Sequence, residues 1–294
     1  MWRWLAYLLM IAAAEAAPGT LLAPEMMSAE GAGPMVVTVW LPPGYQTSTE
    51  RYPVLYMQDG QNLFDGAERA TSWNRHVWGA DTVAAELIAA GKIPPVIIVG
   101  IDHKGPERAR QYYPQAAFGR LDPAVQRQVM TAPPYSDAYL RFLVNELKPI
   151  VDARFRTRGD RASTFVMGSS MGGLISLYAF AEHPEIFGGA GCLSTHWLMA
   201  APGPAAPTEQ LFSAYENYLR DKNLKPGRLW FDHGTIGLDA HYDPYQARID
   251  ALLVGKGWKL GVDYVSKTYP GADHNEDAWR ERLGESLIFL LGGH

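Results

Sequence analysis

Phe165-Val166-Met167-Gly168-Ser169-Ser170-Met171-Gly172-Gly173-Leu174 is the stretch on which the reading of this chain turns. A strand-like run leads into G-x-S-x-G with Ser170 at its centre, and Leu174, Leu177 and Tyr178 follow at helical spacing. A strand–turn–helix of this kind bends so tightly that its central residue takes a strained backbone conformation. Glycines two positions to either side remove the Cβ atoms that would block the bend. The central hydroxyl then stands clear at a helix N-terminus, where developing negative charge is favoured. Ser169 is the neighbouring rival, and the glycine spacing selects Ser170. The five-residue motif alone is weak, because glycine and serine are common; the flanking strand and helix make it specific.

Outward from this point, strand-like runs alternate with amphipathic ones. Met35–Leu41, Val54–Met57, Val96–Ile101, Ser163–Met167, Gly189–Leu193, Arg228–Phe231 and Tyr264–Tyr269 read as strands. Several are continuously apolar, as strands covered on both faces are. In Asp137–Val151 the residues Leu140, Leu143, Val144, Leu147 and Val151 build one apolar helical face. Gly172–Glu182, Pro244–Leu253 and Asp277–Leu290 read similarly. The alternation predicts an α/β fold of three layers with a mostly parallel central sheet. The Ala200–Pro207 stretch (AAPGPAAP) reads as a long loop or lid rather than a domain boundary.

A serine hydroxyl needs an imidazole to take its proton and an acid to hold that imidazole. On an elbow of this kind the chain order is serine, acid, histidine. That order sets aside His76, His103, His196 and His233; His241 lies too close to the best acid, and His294 is terminal. His274, in a glycine-containing loop between a strand and the last helix, is the candidate base. For the acid, Asp239 is preferred because glycines let its loop fold back toward the sheet. Asp232 is still within a strand, and Asp243 suits a helix start. The oxyanion formed in acyl transfer needs backbone N–H donors. Met171, next after the nucleophile, and Gln61, in Gln58-Asp59-Gly60-Gln61-Asn62, are the candidates. This chemistry calls for no metal and no organic cofactor. Asp59, Asp65, Asp81 and Asp102 lack ligand spacing and read as turns, caps and surface.

The chain has 294 residues, a net charge of −5 and well-mixed charges. No basic block or basic–aromatic stripe is present, which argues against nucleic acid as a partner. Met1-Trp2-Arg3, the apolar run Trp4–Ala14 and the A-x-A of Ala14-Glu15-Ala16 read as a cleavable export signal over residues 1–16. The run is too short for stable membrane insertion, since a span needs roughly 20 residues. The expectation is a protein exported to the periplasm or outside, with residues 17–294 as one catalytic domain. Cys192 is the single cysteine, so no disulfide forms within the chain. It reads as a small buried hydrophobe.

Taken together these segments resemble the esterase D-like esterases of the α/β-hydrolases, a family that includes feruloyl and enterochelin esterases. The resemblance runs over nearly the whole mature chain, from Val39-Trp40-Leu41-Pro42-Pro43-Gly44-Tyr45 to the histidine loop. Pro53–Asp65 resembles the family's oxyanion-loop strand, Val99-Gly100-Ile101-Asp102 the strand after it, Gly168–Leu174 its elbow, and His274 its terminal histidine. There are two departures. Gln58-Asp59-Gly60 stands where the family usually has His-Asp-Gly, which implies different local hydrogen bonding. Ser194-Thr195-His196-Trp197 replaces a Ser-Pro-x-x-Trp stretch that borders the pocket, so His196 and Trp197 are candidate pocket residues; Trp197 equally reads as a cap on the core.

The resemblance and the residues imply hydrolysis of a small-molecule or carbohydrate-linked ester. Acyl transfer on the same scaffold is the nearest alternative, and a non-catalytic binding protein with a hydrolase fold is the most distant. Neither substrate identity nor oligomeric state is readable at this level, because specificity resides in loops such as Arg108–Ser136 and Ala200–Thr208.

Overall fold

The computed structural model describes residues 18–292, apart from 67–68, 73–74, 201–202 and 204. The expected export signal (residues 1–16) and His294 lie outside the described residues. The strands are β1 (Thr20–Leu21), β2 (Glu25–Met27), β3 (Met35–Leu41), β4 (Val54–Gln58), β5 (Ile97–Ile101), β6 (Thr164–Ser169), β7 (Gly189–Leu193), β8 (Arg228–Gly234) and β9 (Tyr264–Tyr269). They form one sheet in the order β1-β3-β5-β4-β6-β7-β8-β9, with β2 also on β3. From β5 to β9 every pairing is parallel; β1, β2 and β5 run antiparallel to β3.

The helices are α1 (Ala80–Ala89), α2 (Arg108–Tyr112), α3 (Gln115–Phe118), α4 (Pro123–Val129), α5 (Ser136–Arg141), α6 (Lys148–Arg154), α7 (Met171–Glu182), α8 (Thr208–Asp221), α9 (Asp243–Gly255) and α10 (Glu276–Leu291). A π-helical stretch, Phe142–Leu147, joins α5 to α6, so the helix expected over 137–151 is a single continuous element. Its wide turn has a cause in Pro149, whose ring lacks an N–H and crowds the carbonyl four residues back. The seven expected strands all form, and among the described residues β1 and β2 add to them. The segment read as a loop over 108–136 instead holds α2, α3 and α4.

Every residue of β4, β5 and β7 is buried, which is why these strands read as unbroken runs rather than alternating ones. One face of the sheet carries a core containing Leu174, Leu177, Tyr178, Phe212 and Phe231. The other is covered by Trp78, just ahead of α1, and by α1 and α10 through Ala84, Leu283, Leu287 and Leu290. Each fully buried aliphatic side chain contributes roughly 1.5–3 kcal/mol from leaving water. This is the α/β-hydrolase arrangement, with ligand sites expected beyond the carboxyl ends of the parallel strands. Cys192 sits in β7, wholly buried, and burial pushes its thiol pKa up.

Candidate active site

Ser170 follows β6 directly and precedes α7, with φ 57° and ψ −123°. A non-glycine residue there stores strain, and its neighbours hold it. Its N–H donates to the Leu193 carbonyl at 2.9 Å, and its own carbonyl accepts from the His196 N–H at 3.1 Å. The elbow is thus pinned to the end of β7 from both sides. The flanking glycines are needed for contact. A Cβ on Gly168 would lie 2.7 Å from the Gly172 backbone, and one on Gly172 would lie 3.1 Å from Asp59 Oδ2.

His274 lies in the loop after β9 and Asp239 in a short 3₁₀ turn after β8. His274 Nδ1 is 2.6 Å from Asp239 Oδ1. A carboxylate only accepts, so Nδ1 carries the proton and Nε2 keeps the lone pair. The second Asp239 oxygen accepts from the Ser194 hydroxyl at 2.5 Å and the Gly234 N–H at 2.6 Å. Burial alone would raise the Asp239 pKa. The bond to His274, then Ser194 and Gly234, outweigh it and hold the carboxyl below the usual aspartate range.

Asp232 has a different role. It accepts from Arg282 Nε at 2.9 Å and Trp230 Nε1 at 2.7 Å, with the Ser194 N–H at 3.3 Å. Its pKa is raised, by burial first and against the pull of Arg282. Asp243 is the first residue of α9 and largely exposed, 3.9 Å from His233 Nε2 and far from any role in holding His274.

Ser170 and His274 line one cavity of about 390 Å³, a size suited to a small ligand. Met171, at the start of α7, also lines it. Gln61 lies in the 3₁₀ turn after β4, buried, with its amide group turned to Thr71 Oγ1 and the His103 N–H. Its neighbours Asp59 and Asn62 face the cavity. The Asp59 N–H donates to Tyr112 Oη and the Asn62 N–H to the Asp59 carbonyl. Gly60 and Gln61 lie between these two residues in the turn. Gln58, in the position of the family's usual histidine, accepts a short hydrogen bond from the Tyr139 hydroxyl.

The two pocket candidates after β7 part company. His196 lines the cavity and bonds Tyr242 Oη through Nδ1 at 2.8 Å. Burial above all, then His274 and Arg108, push its pKa down to about 3, so it is a neutral ring at ordinary pH. Trp197 corrects the expectation of a pocket residue. Its indole is buried in the core against Phe212, Tyr215 and Phe231, with Nε1 bonded to Gln246. Ser194 has a φ of 40°, and the turn that begins there sends successive side chains to opposite sides.

Several cavity residues escaped the sequence. Asp59 is no surface carboxylate: it is buried and held bidentately by Arg108 at 2.7 and 2.8 Å. Arg108 opens α2, inside the segment read as a loop, and no local pattern marks it. Glu276 lines the cavity from the first turn of α10; burial pushes its pKa up to about 7, with Asp59 adding to the rise and Arg108 opposing it. The indoles of Trp78 and Trp279 also line it, with ring centroids 5.6 Å apart and planes tilted 44° to one another. His103 is depressed, mainly by burial. Asp65, Asp81 and Asp102 do serve local structure: Asp65 pairs with Arg280, Asp81 accepts the Asp65 N–H, and Asp102 pairs with Arg69.

A family model described as "Putative esterase" matches residues 28–290. The chain belongs to this esterase family. Among curated relatives it is 33% identical over 171 residues to an endo-1,4-β-xylanase/feruloyl esterase of Xylanibacter ruminicola, covering 56% of this chain and 20% of that one. It is 26% identical over 176 residues to the uncharacterized protein YbbA of Bacillus subtilis, covering 58% and 61%. The matches therefore span from a fifth to about three fifths of these relatives' own lengths. Among solved structures, the enterobactin esterase of Shigella flexneri shares the fold with a TM-score of 0.67 at 19% identity, over 94% of this chain and 59% of that one. Among the described residues of this family member, no helix is long and apolar enough to cross a membrane.

Proposed function

We propose that the chain is an exported serine carboxylic-ester hydrolase that works through Ser170, His274 and Asp239 by an acyl-enzyme. The observation that carries the reading is the 2.6 Å bond from His274 Nδ1 to a buried, ionised Asp239, in a loop whose histidine shares a cavity with the Ser170 elbow. His274 Nε2 takes the proton as Ser170 Oγ attacks the ester carbonyl, and the imidazolium that results is stabilised by Asp239. The Met171 and Gln61 N–H groups hold the oxyanion, each worth roughly 10²–10³ in rate. His274 then protonates the leaving alcohol. In the second half it activates water, which releases the acid and restores Ser170. Export rests on the leader over residues 1–16, and residues 17–294 act as one catalytic domain around the continuous sheet.

The test is labelling of the purified mature protein with a fluorophosphonate, beside Ser170→Ala and His274→Ala, with p-nitrophenyl acetate turnover in parallel. Labelling and turnover present in the wild type and lost in both variants are expected. A folded wild type that neither labels nor turns over overturns the reading and leaves a binding scaffold in its place.

A further inference from the structure

Glu276 is a buried carboxyl with no ion pair among the described residues. Its Oε1 accepts from Asn62 Nδ2 at a long 3.3 Å, and Asn62 Oδ1 is itself occupied by the Thr71 N–H at 2.8 Å. Arg108, the cation whose field reaches it, is already clamped by both oxygens of Asp59. Asp59 and Asp277 add negative charge around it. Nor does the helix need this carboxyl as a cap, since the Asn275 side chain accepts from the Ala278 N–H at 3.0 Å. Beyond its own backbone N–H, the carboxyl has only that long bond from Asn62 among the described residues, so it keeps lone pairs to offer a donor in the cavity. Its cavity is open to a ligand, and the tilted indoles of Trp78 and Trp279 give that cavity an aromatic, apolar side.

We propose that Glu276 is a specificity-determining residue of the Ser170 cavity: its carboxyl accepts a hydrogen bond from a hydroxyl on the substrate and turns away esters that bear a carboxylate. This rests on the serine-hydrolase reading above. A site built to receive a hydroxyl discriminates strongly against the analogue that lacks it, because the buried acceptor is then left unserved. A second carboxylate in the same place meets Glu276 and Asp59 with only one guanidinium between them.

The preference also depends on pH. The titratable and charged groups around Glu276 are Asp59, Arg108, His103, His274 and, on its own helix, Asp277, which faces His76. An ionised Glu276 is the stronger acceptor, so the hydroxyl preference grows from pH 6 to pH 8. The preference is a ratio within a substrate pair, so a pH effect common to both members cancels from it.

The experiment compares kcat/KM for the p-nitrophenyl esters of benzoic, 3-hydroxybenzoic, 4-hydroxybenzoic and 4-carboxybenzoic acids, in wild type and Glu276→Gln, with p-nitrophenyl acetate as the reference. Glutamine keeps the shape and the acceptor toward Asn62 but not the charge. The wild type is expected to favour at least one hydroxylated ester over the parent by about tenfold at pH 8, and to disfavour the carboxylated one by as much. Glu276→Gln is expected to lose both preferences and their pH dependence. Acetate turnover with no hydroxyl preference, or a preference unchanged in Glu276→Gln, overturns the assignment and leaves the hydrolase reading standing. A wild type that turns over no ester, acetate included, overturns both.

Discussion

Asp239 and Asp232 are the same residue type near the end of the same strand, and the protein uses them in opposite ways. Asp239 faces His274, whereas Asp232 is locked to Arg282. Asp239→Asn leaves the geometry but stabilises the wrong imidazole tautomer, so kcat toward p-nitrophenyl acetate is expected to fall about 10⁴-fold. The pH dependence of stability separates two carboxyls. Asp239 is held below its ordinary value, so its contribution is present above the unfolded pKa near 4 and is lost as pH falls through the folded value. Glu276 is raised to about 7, so its neutral form favours the fold below the unfolded value near 4.3, and that contribution is lost as pH rises through 7. Urea midpoints measured from pH 3 to pH 8 should therefore lose an acid-side slope in Asp239→Asn, and a slope between about 4.3 and 7 in Glu276→Gln. The elbow at Ser170 and the pairing of His274 with Asp239 as candidates were legible from glycine spacing and chain order. What occupies Asp232 was not, because Arg282 arrives fifty residues later from another element.

At the scale of elements, α10 does more than close the sheet. Glu276, Trp279 and Arg282 recur at three-residue steps and so share one face of the helix. That face supplies a cavity wall, an indole N–H to Ser194 Oγ at 2.9 Å and the guanidinium to Asp232. Arg282→Leu strips a buried carboxylate of its partner and is expected to cost about 3–5 kcal/mol in urea unfolding. The double variant Arg282→Leu/Asp232→Leu should recover part of that loss. Asn275→Ala removes the cap next to His274 and is expected to cost about 1 kcal/mol, while Asn275→Asp retains most of it. The helix was readable because its apolar side has a clear period. The short helices α2, α3 and α4 were not, since pieces of this length carry less than two turns of pattern and owe their form to packing. Arg108 was missed for that reason, not through any oddity of its own.

For the whole molecule, the parallel sheet divides two apolar layers and gathers the ends of β4, β6, β7, β8 and β9 around one cavity. Stability and chemistry are accordingly separable. Leu290→Ala, buried in the α1/α10 layer near the far end of the last helix, should lower unfolding free energy by about 2–5 kcal/mol. The kcat of the remaining folded protein should stay close to wild type. The same layering gives Cys192 an experimental use. A lone thiol sealed inside β7, with its ionisation suppressed, cannot meet an alkylating reagent while the sheet is intact. Iodoacetamide uptake by the native protein therefore times the opening of its central strands: each molecule records whether it has unfolded by gaining one carbamidomethyl group.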